Sequence, residues 1–133
     1  MIILDIQTHS RVEMINVTPQ VTQAIQNNGI VNGVCFLFVP HTTAAITVNE
    51  NADPDVVTDM IRRLGEITPG VDRDDRHREG NSAAHVKAGL IGTSEILFIE
   101  DHKLVLGTWQ GIYFCEFDGP RKRKLLLKIT SDS

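Results

Sequence analysis

An α+β fold, a mostly antiparallel sheet with short helices packed on it, is what three features of the sequence predict. Short apolar segments rich in β-branched residues recur along the whole chain. Capped helix starts interrupt them in the first two thirds, and a run of sequential strands without helices fills the last third. A doubly wound parallel fold would need regular strand-helix alternation, which the second half lacks. The length of 133 residues suits one domain, residues 1–133, with volume for a real core.

Residues 2–8 and 12–17 alternate aliphatic and polar side chains, so they read as two strands around a His9-Ser10-Arg11 turn. Thr18-Pro19 starts a helix of at most about three turns. The threonine can accept from the first free N–H groups, proline suits the first helical position, and Asn28-Gly29 supplies a left-handed stop. Gly33 to Val39 is apolar on both faces, as in a strand covered on both sides; Ala44 to Val48 follows the polar Pro40-His41-Thr42-Thr43 step, and both are expected to be central. Asp53-Pro54 repeats the capping logic, and Val56, Val57, Met60, Ile61 and Leu64 form one helical stripe ending near Gly65. Residues 68–81 offer only Val71 for burial and read as a long exposed loop. Ser82 is expected to cap a short helix through about Lys87. Strands near 95–99, 103–106, 111–117 and 123–130 follow, with Asp101-His102-Lys103 as a hairpin turn.

Composition narrows the function classes. At 41% hydrophobic and 23% charged the chain is neither disordered nor fibrous. A net charge of -4 argues against the broad basic surface of non-specific nucleic-acid binding. No apolar run approaches the roughly 18 residues a membrane span needs. The N-terminus does not read as a secretory signal. Cys35 and Cys115 lie in apolar strands, as buried free thiols do, and a reduced cytoplasmic protein is the expectation.

Polar groups cluster where strands end, and such groups cost desolvation unless they are solvated, paired or bound to something. His41 follows Pro40 at a strand end, His77 lies in the polar loop, and His85 sits on the short helix; each reads equally as a turn, surface or packed histidine. Three neutral imidazoles can also hold a metal with one position open, and a nearby carboxylate such as Glu50 or Asp53 can join or orient them. Their spacing forms no compact motif, so convergence depends on the fold. His9 and His102 are read as surface residues. Asp53 is explained as a cap and Asn49 and Asn51 suit a turn, whereas Glu50 has no such local role and is a candidate acid/base. Gly92-Thr93-Ser94 and Gly107-Thr108-Trp109-Gln110-Gly111 could present donors to phosphate or serve as turns, and Trp109 as core or as a ligand wall. Arg121-Lys122-Arg123-Lys124 reads as a charge-protected strand entrance or an anion arm, with Arg121 nearest the Gly119-Pro120 turn.

Three segments, PHTTAAITVNENADPDVVTDM, HREGNSAAHVKAGLIGTS and LGTWQGIYFCEFDGPR, together resemble the signature blocks of the YjbQ-like family, called secondary thiamine-phosphate synthases. The resemblance spans nearly the whole chain in order. It implies a compact α+β homotrimer with a polar pocket near subunit contacts and a divalent metal, Mg²⁺ or Zn²⁺, at His41, His77 and His85. It also implies metal-assisted transfer joining a pyrimidine diphosphate to a thiazole phosphate, as a main or a side activity. On this reading Glu50 and His85 are catalytic. Small phosphorylated substrates are held by Thr42, Thr43, Asn49, Thr93, Ser94, Trp109, Gln110 and Arg121. The alternatives are a metal-dependent phosphate hydrolase and a non-enzymatic trimeric small-anion-binding protein. Asp75 and Ala83 depart from the frequent pattern, in the loop and helix that carry the two later histidines.

Overall fold

A computed structural model describes residues 1–132. The elements follow as β1 (Ile2–Gln7), β2 (Glu13–Asn16), α1 (Thr18–Asn28), β3 (Gly33–Phe38), β4 (Ala44–Glu50), α2 (Pro54–Ile67), α3 (Ser82–Ile91), β5 (Ser94–Glu100), β6 (Lys103–Leu104), β7 (Gln110–Glu116) and β8 (Lys122–Ser131). They form a five-stranded sheet, β1-β8-β3-β5-β6, and a three-stranded sheet, β2-β7-β4. Every pairing within them is antiparallel. The expected single α+β domain is therefore what forms, with its strands divided between two sheets.

The main core lies between the sheets. Leu37, Leu97, Leu125 and Leu127 point in from the larger sheet, Ile46, Ile112 and Phe114 from the smaller, and α1 adds Val21 and Ile25. A second cluster covers the other face of the smaller sheet, where Ala45, Tyr113 and Cys115 meet Ala84 and Ala88 of α3, with Val57 and Leu64 of α2 packed alongside. Strand β7 is thus buried on both faces, which is why it reads as a continuous apolar run. The free thiols of Cys35 and Cys115 are buried, and desolvation pushes them up to about 11 and about 12.

Local chemistry explains most element ends. Gly29 closes α1 at φ 77°, and its N–H reaches the carbonyls of Ile25 and Gln26. Asp53 caps α2 by accepting from Asp55 N–H at 2.9 Å. The stripe Val56, Val57, Met60, Ile61 and Leu64 is half-buried as expected, but the helix runs on to Ile67. Asp101 and His102, both at positive φ, make the two-residue turn between β5 and β6.

Several expectations are corrected. Strands β1 and β2 do not form a hairpin: the Glu13 carboxylate gathers the His9 and Ser10 N–H groups at 2.6 Å each, and the chain then passes from one sheet to the other. Val17, not Thr18, holds the cap position of α1, because the Thr18 hydroxyl is engaged by Asn16 and by Ile112 N–H. Strand β3 is central, but its outer face is open, with Phe36 and Phe38 beside Ile96 and Phe98 of β5. Strand β4 lies at a sheet edge. The long loop is exposed over residues 69–80 as read, Val71 included, but Asn81 at its end is buried. Helix α3 extends to Ile91, and Asn81 rather than Ser82 stands at its cap position. Among the described residues no helix is long and apolar enough to cross a membrane.

Candidate functional site

The turn leading from β3 into β4 carries His41, Thr42 and Thr43. It is pinned to the Gly92-Thr93-Ser94 step because Val39 N–H donates to Thr93 O at 2.8 Å and Ile46 N–H to Gly92 O at 3.1 Å. Together with Arg121 and Arg123 at the start of β8, these segments enclose a hollow of about 490 Å³ lined by His41, Thr42, Thr43, Thr93 and both arginines. Ser94 sits at the adjoining strand start, exposed and in register with Phe38.

Behind the hollow lies a buried ion pair. Arg123 donates through Nε to Glu116 Oε1 at 2.9 Å and through Nη2 to Oε2, and its Nη2 also reaches Thr43 Oγ1 at 2.8 Å. Thr8 adds its hydroxyl to Glu116 at 2.7 Å, and Asp118 adds its N–H at 3.1 Å. Burial alone would raise the Glu116 carboxyl, but the Arg123, Thr8 and Asp118 hydrogen bonds outweigh it and hold the group below the usual carboxylate range. Gly119 lets this network close: a Cβ there would stand 2.4 Å from Ser10 O and 2.7 Å from Glu116 Cγ. The Gly119-Pro120 bond is cis.

His41 Nε2 accepts the Lys124 N–H at 2.9 Å, so in the neutral ring the proton is on Nδ1. Burial first and the Arg123 charge second lower its pKa, with a lesser contribution from Arg121, while the Glu116 charge and the Lys124 hydrogen bond oppose them. Partial burial is thus the main reason the imidazole is held neutral, with the arginine charge second.

His77 and His85 meet elsewhere, with ring centroids 5.4 Å apart and planes at 82°. His77 contacts Asn81 Oδ1 through Nε2 at 2.5 Å and Ser82 Oγ through Nδ1 at 2.6 Å. Asn81 Nδ2 donates to Asp118 Oδ2 at 2.7 Å, the oxygen that also accepts from Arg121 Nη2 at 2.9 Å. Asp118 therefore joins the two regions.

Asn49, Glu50, Trp109 and Gln110 belong to a third place. They lie at the opposite end of the β4-β7 pair, where Glu50 is in register with Gln110. Seven residues of β4 separate this end from His41 and its threonines, a span of about 20 Å. There the Glu50 carbonyl accepts the Tyr113 hydroxyl at 3.0 Å, Asn49 Oδ1 accepts Glu50 N–H, and Gln110 Oε1 accepts Gly107 N–H. Trp109 is 63% exposed, so it is neither core nor a wall of the hollow. Glu50 is correspondingly not an acid/base of the His41 hollow within one chain.

The three-histidine metal site is not assembled by the chain alone. His41 Nε2 is occupied by an N–H donor, both nitrogens of His77 are engaged, and among the described residues no group of three His, Cys, Asp or Glu side chains is placed to hold an ion. The donor set of a single chain does not fit the metal.

Arg123, Glu116, Asn81 and Asp118 were not singled out from the sequence. Arg123 had a signal: it shares the two-residue period of Leu125 and Leu127, both core residues, while Lys122 and Lys124 take the outer phase. Leu126 obscured that phase.

The sequence profile described as "UPF0047 protein YjbQ-like" matches residues 2–132. UPF0047 protein YugU of Bacillus subtilis is 52% identical over 126 residues, covering 95% of this chain and 96% of that protein. The crystal structure of a YjbQ/UPF0047-family protein of Clostridium acetobutylicum superposes with a TM-score of 0.94 at 49% identity, covering 98% of this chain and all of that one. A conserved hypothetical protein of Thermus thermophilus superposes at 0.91 with 40% identity, over 98% of this chain and all of that one.

Proposed function

Because the chain belongs to the YjbQ-like UPF0047 family, we propose that it is a small-molecule enzyme acting on phosphorylated substrates bound in the His41 hollow. The reaction is the thiamine-phosphate synthase-like transfer that the resemblance implies. The observation that carries this reading is the convergence of His41, Thr42, Thr43, Thr93, Arg121 and Arg123 on one hollow.

In such a transfer the bond from the pyrimidine methylene carbon to the diphosphate oxygen breaks, the thiazole nitrogen bonds to that carbon, and negative charge collects on the departing diphosphate. Groups that bind this charge more strongly as it develops lower the barrier. Arg121 supplies an exposed guanidinium held in place by Asp118. The Thr43 hydroxyl, which accepts from Arg123, keeps its own proton to donate to a phosphate oxygen. Neutral His41 offers its Nδ1 proton in the same role, and buried Arg123 contributes its field rather than contact.

The distance of Glu50 from the hollow favours one second reading, a non-enzymatic anion-binding protein whose assembly is a homotrimer. A dual-substrate turnover assay on the wild type, Arg121→Ala and His41→Ala, each with Mg²⁺ or Zn²⁺ added, decides between them. Product formed only with both substrates, and lost at least about 100-fold in Arg121→Ala, is expected. Phosphate released from one substrate alone would indicate a hydrolase. Retention of sulfate or diphosphate without turnover would indicate the binding protein, and undiminished turnover in both variants would overturn the assignment.

A further inference from the structure

The run Arg121-Lys122-Arg123-Lys124 divides as it enters β8. Arg123 turns inward to Glu116 and Arg121 is held by Asp118 at the His41 hollow, whereas Lys122 and Lys124 share the outer face, because alternate residues of a strand point to opposite sides of its sheet. Edge protection does not account for these lysines: β8 runs between β1 and β3, and beyond the end of β3 the Lys124 N–H is taken by His41. Two like charges nevertheless stand side by side, about 7 Å apart along the strand.

Beside the His41 hollow lies a second of about 560 Å³, lined by Asp5 and Gln7 of β1, by Lys122 and Lys124, and by His41 and Arg123, which also line the first. The two hollows thus share a wall. Lys124 Nζ donates to Asp5 Oδ1 at 2.9 Å, but both side chains are more than half exposed, and a pair so placed contributes little and gives way to a stronger anion. Lys122 has no ion-pair partner among the described residues. The Lys124 hydrogen bond and charge, and more weakly the Lys122 charge, hold the Asp5 carboxyl below its usual range, so both ammonium groups bear on one spot.

Transfer between two phosphorylated substrates brings two anions into one site. The thiazole phosphate carries its phosphate on an arm at the other side of the ring from the attacking nitrogen. With that nitrogen facing the pyrimidine methylene carbon, the phosphate points away from the departing diphosphate, and the two anions repel unless each meets its own cations. We infer that Lys122 and Lys124 bind the phosphate of the acceptor substrate in the second hollow, across the wall made by His41 and Arg123 from the diphosphate. The inference rests on the transfer reading of the His41 hollow. It sets the acceptor's class as a phosphomonoester on a short arm of a neutral ring. Flexible ammonium groups suit this task, since they can close on one phosphate from two sides, while the paired arginines keep a fixed geometry. Asp5 competes for Lys124, which favours a doubly charged phosphate over a singly charged carboxylate.

The test uses the full chain with Mg²⁺, varying each substrate in turn at saturation of the other. Lys122→Gln/Lys124→Gln should raise KM for the thiazole phosphate at least about 10-fold and change KM for the pyrimidine diphosphate less than about twofold. Asp5→Asn, which removes the competing carboxylate, should lower KM for the thiazole phosphate about twofold, and Lys122→Arg/Lys124→Arg should keep it near the wild-type value. A rise in both KM values together, or in neither, would overturn the inference. Calorimetry separates its failure from that of the transfer itself. If the wild type binds the thiazole phosphate at least about 10-fold more tightly than the alcohol left when its phosphate is removed, and the glutamine double variant loses that margin, the lysine site stands even where no product forms. Equal binding of phosphate and alcohol would overturn the lysine site whatever the turnover.

Discussion

His41 is half-buried beside two arginines, and burial first and their charge second set what the residue can do. With its pKa lowered by burial and by Arg123 and Arg121, it is neutral at pH 7, and its NMR titration midpoint should fall below the ordinary 6.5. Sulfate bound in the hollow should raise that midpoint, and no change on saturation would count against an anion site. Because the folded-state value is the lower one, the stabilisation this residue reports is present above pH 6.5 and is lost as pH falls through the folded value. Arg123 is the structural counterpart. Arg123→Met strands the Glu116 carboxylate in the core, and chemical denaturation should show a loss of about 3–5 kcal/mol. Glu116 is lowered by its partners, so its stabilisation is present above the ordinary carboxylate value near about 4 and is lost as pH falls through its depressed folded value. The sequence made His41 a candidate through its place at a strand end. It could not assign Arg123, because Leu125-Leu126-Leu127 is apolar in both phases of a strand.

At the scale of elements, local signals worked where the cause was local. The Asp53 cap, the Gly29 stop and the Asp101-His102 turn each depend on neighbouring backbone groups, and each forms as read. Asp53→Ala should accordingly cost about 1 kcal/mol in thermal or denaturant unfolding. Trp109 makes the opposite case. A lone tryptophan commonly packs in the core, but this one is exposed, so Trp109→Ala should change stability by less than about 0.5 kcal/mol. The same substitution tests whether that loop contacts substrate, since it should leave turnover in the His41 hollow unchanged. Pairing was less legible than existence. β1 and β2 were recognisable as strands, but which sheet each joins depends on β8 and β7, more than a hundred and about a hundred residues away.

For the molecule as a whole, one sheet face remains uncovered. Phe36, Phe38, Ile96 and Phe98 form an exposed apolar band across β3 and β5, larger than scattered surface residues would make. Association through this band is the route by which the proposed homotrimer would form. Sedimentation should give about three times 14.8 kDa for the wild type and a single-chain mass for a Phe36→Glu/Phe98→Lys double variant. A single-chain mass for the wild type would remove that route. The sequence by itself determined the α+β class, the caps and turns, the buried thiols and the polar strand end that begins the hollow, because each follows from residues close in the chain. Only the tertiary structure decided that Arg121 and Arg123 close over His41, that Glu50 lies a strand length away, and that Asp118 directs Asn81 toward His77. Those meetings are fixed by long-range pairing of β4, β7 and β8, where a shift of one residue exchanges the inner and outer faces and no local pattern selects the register.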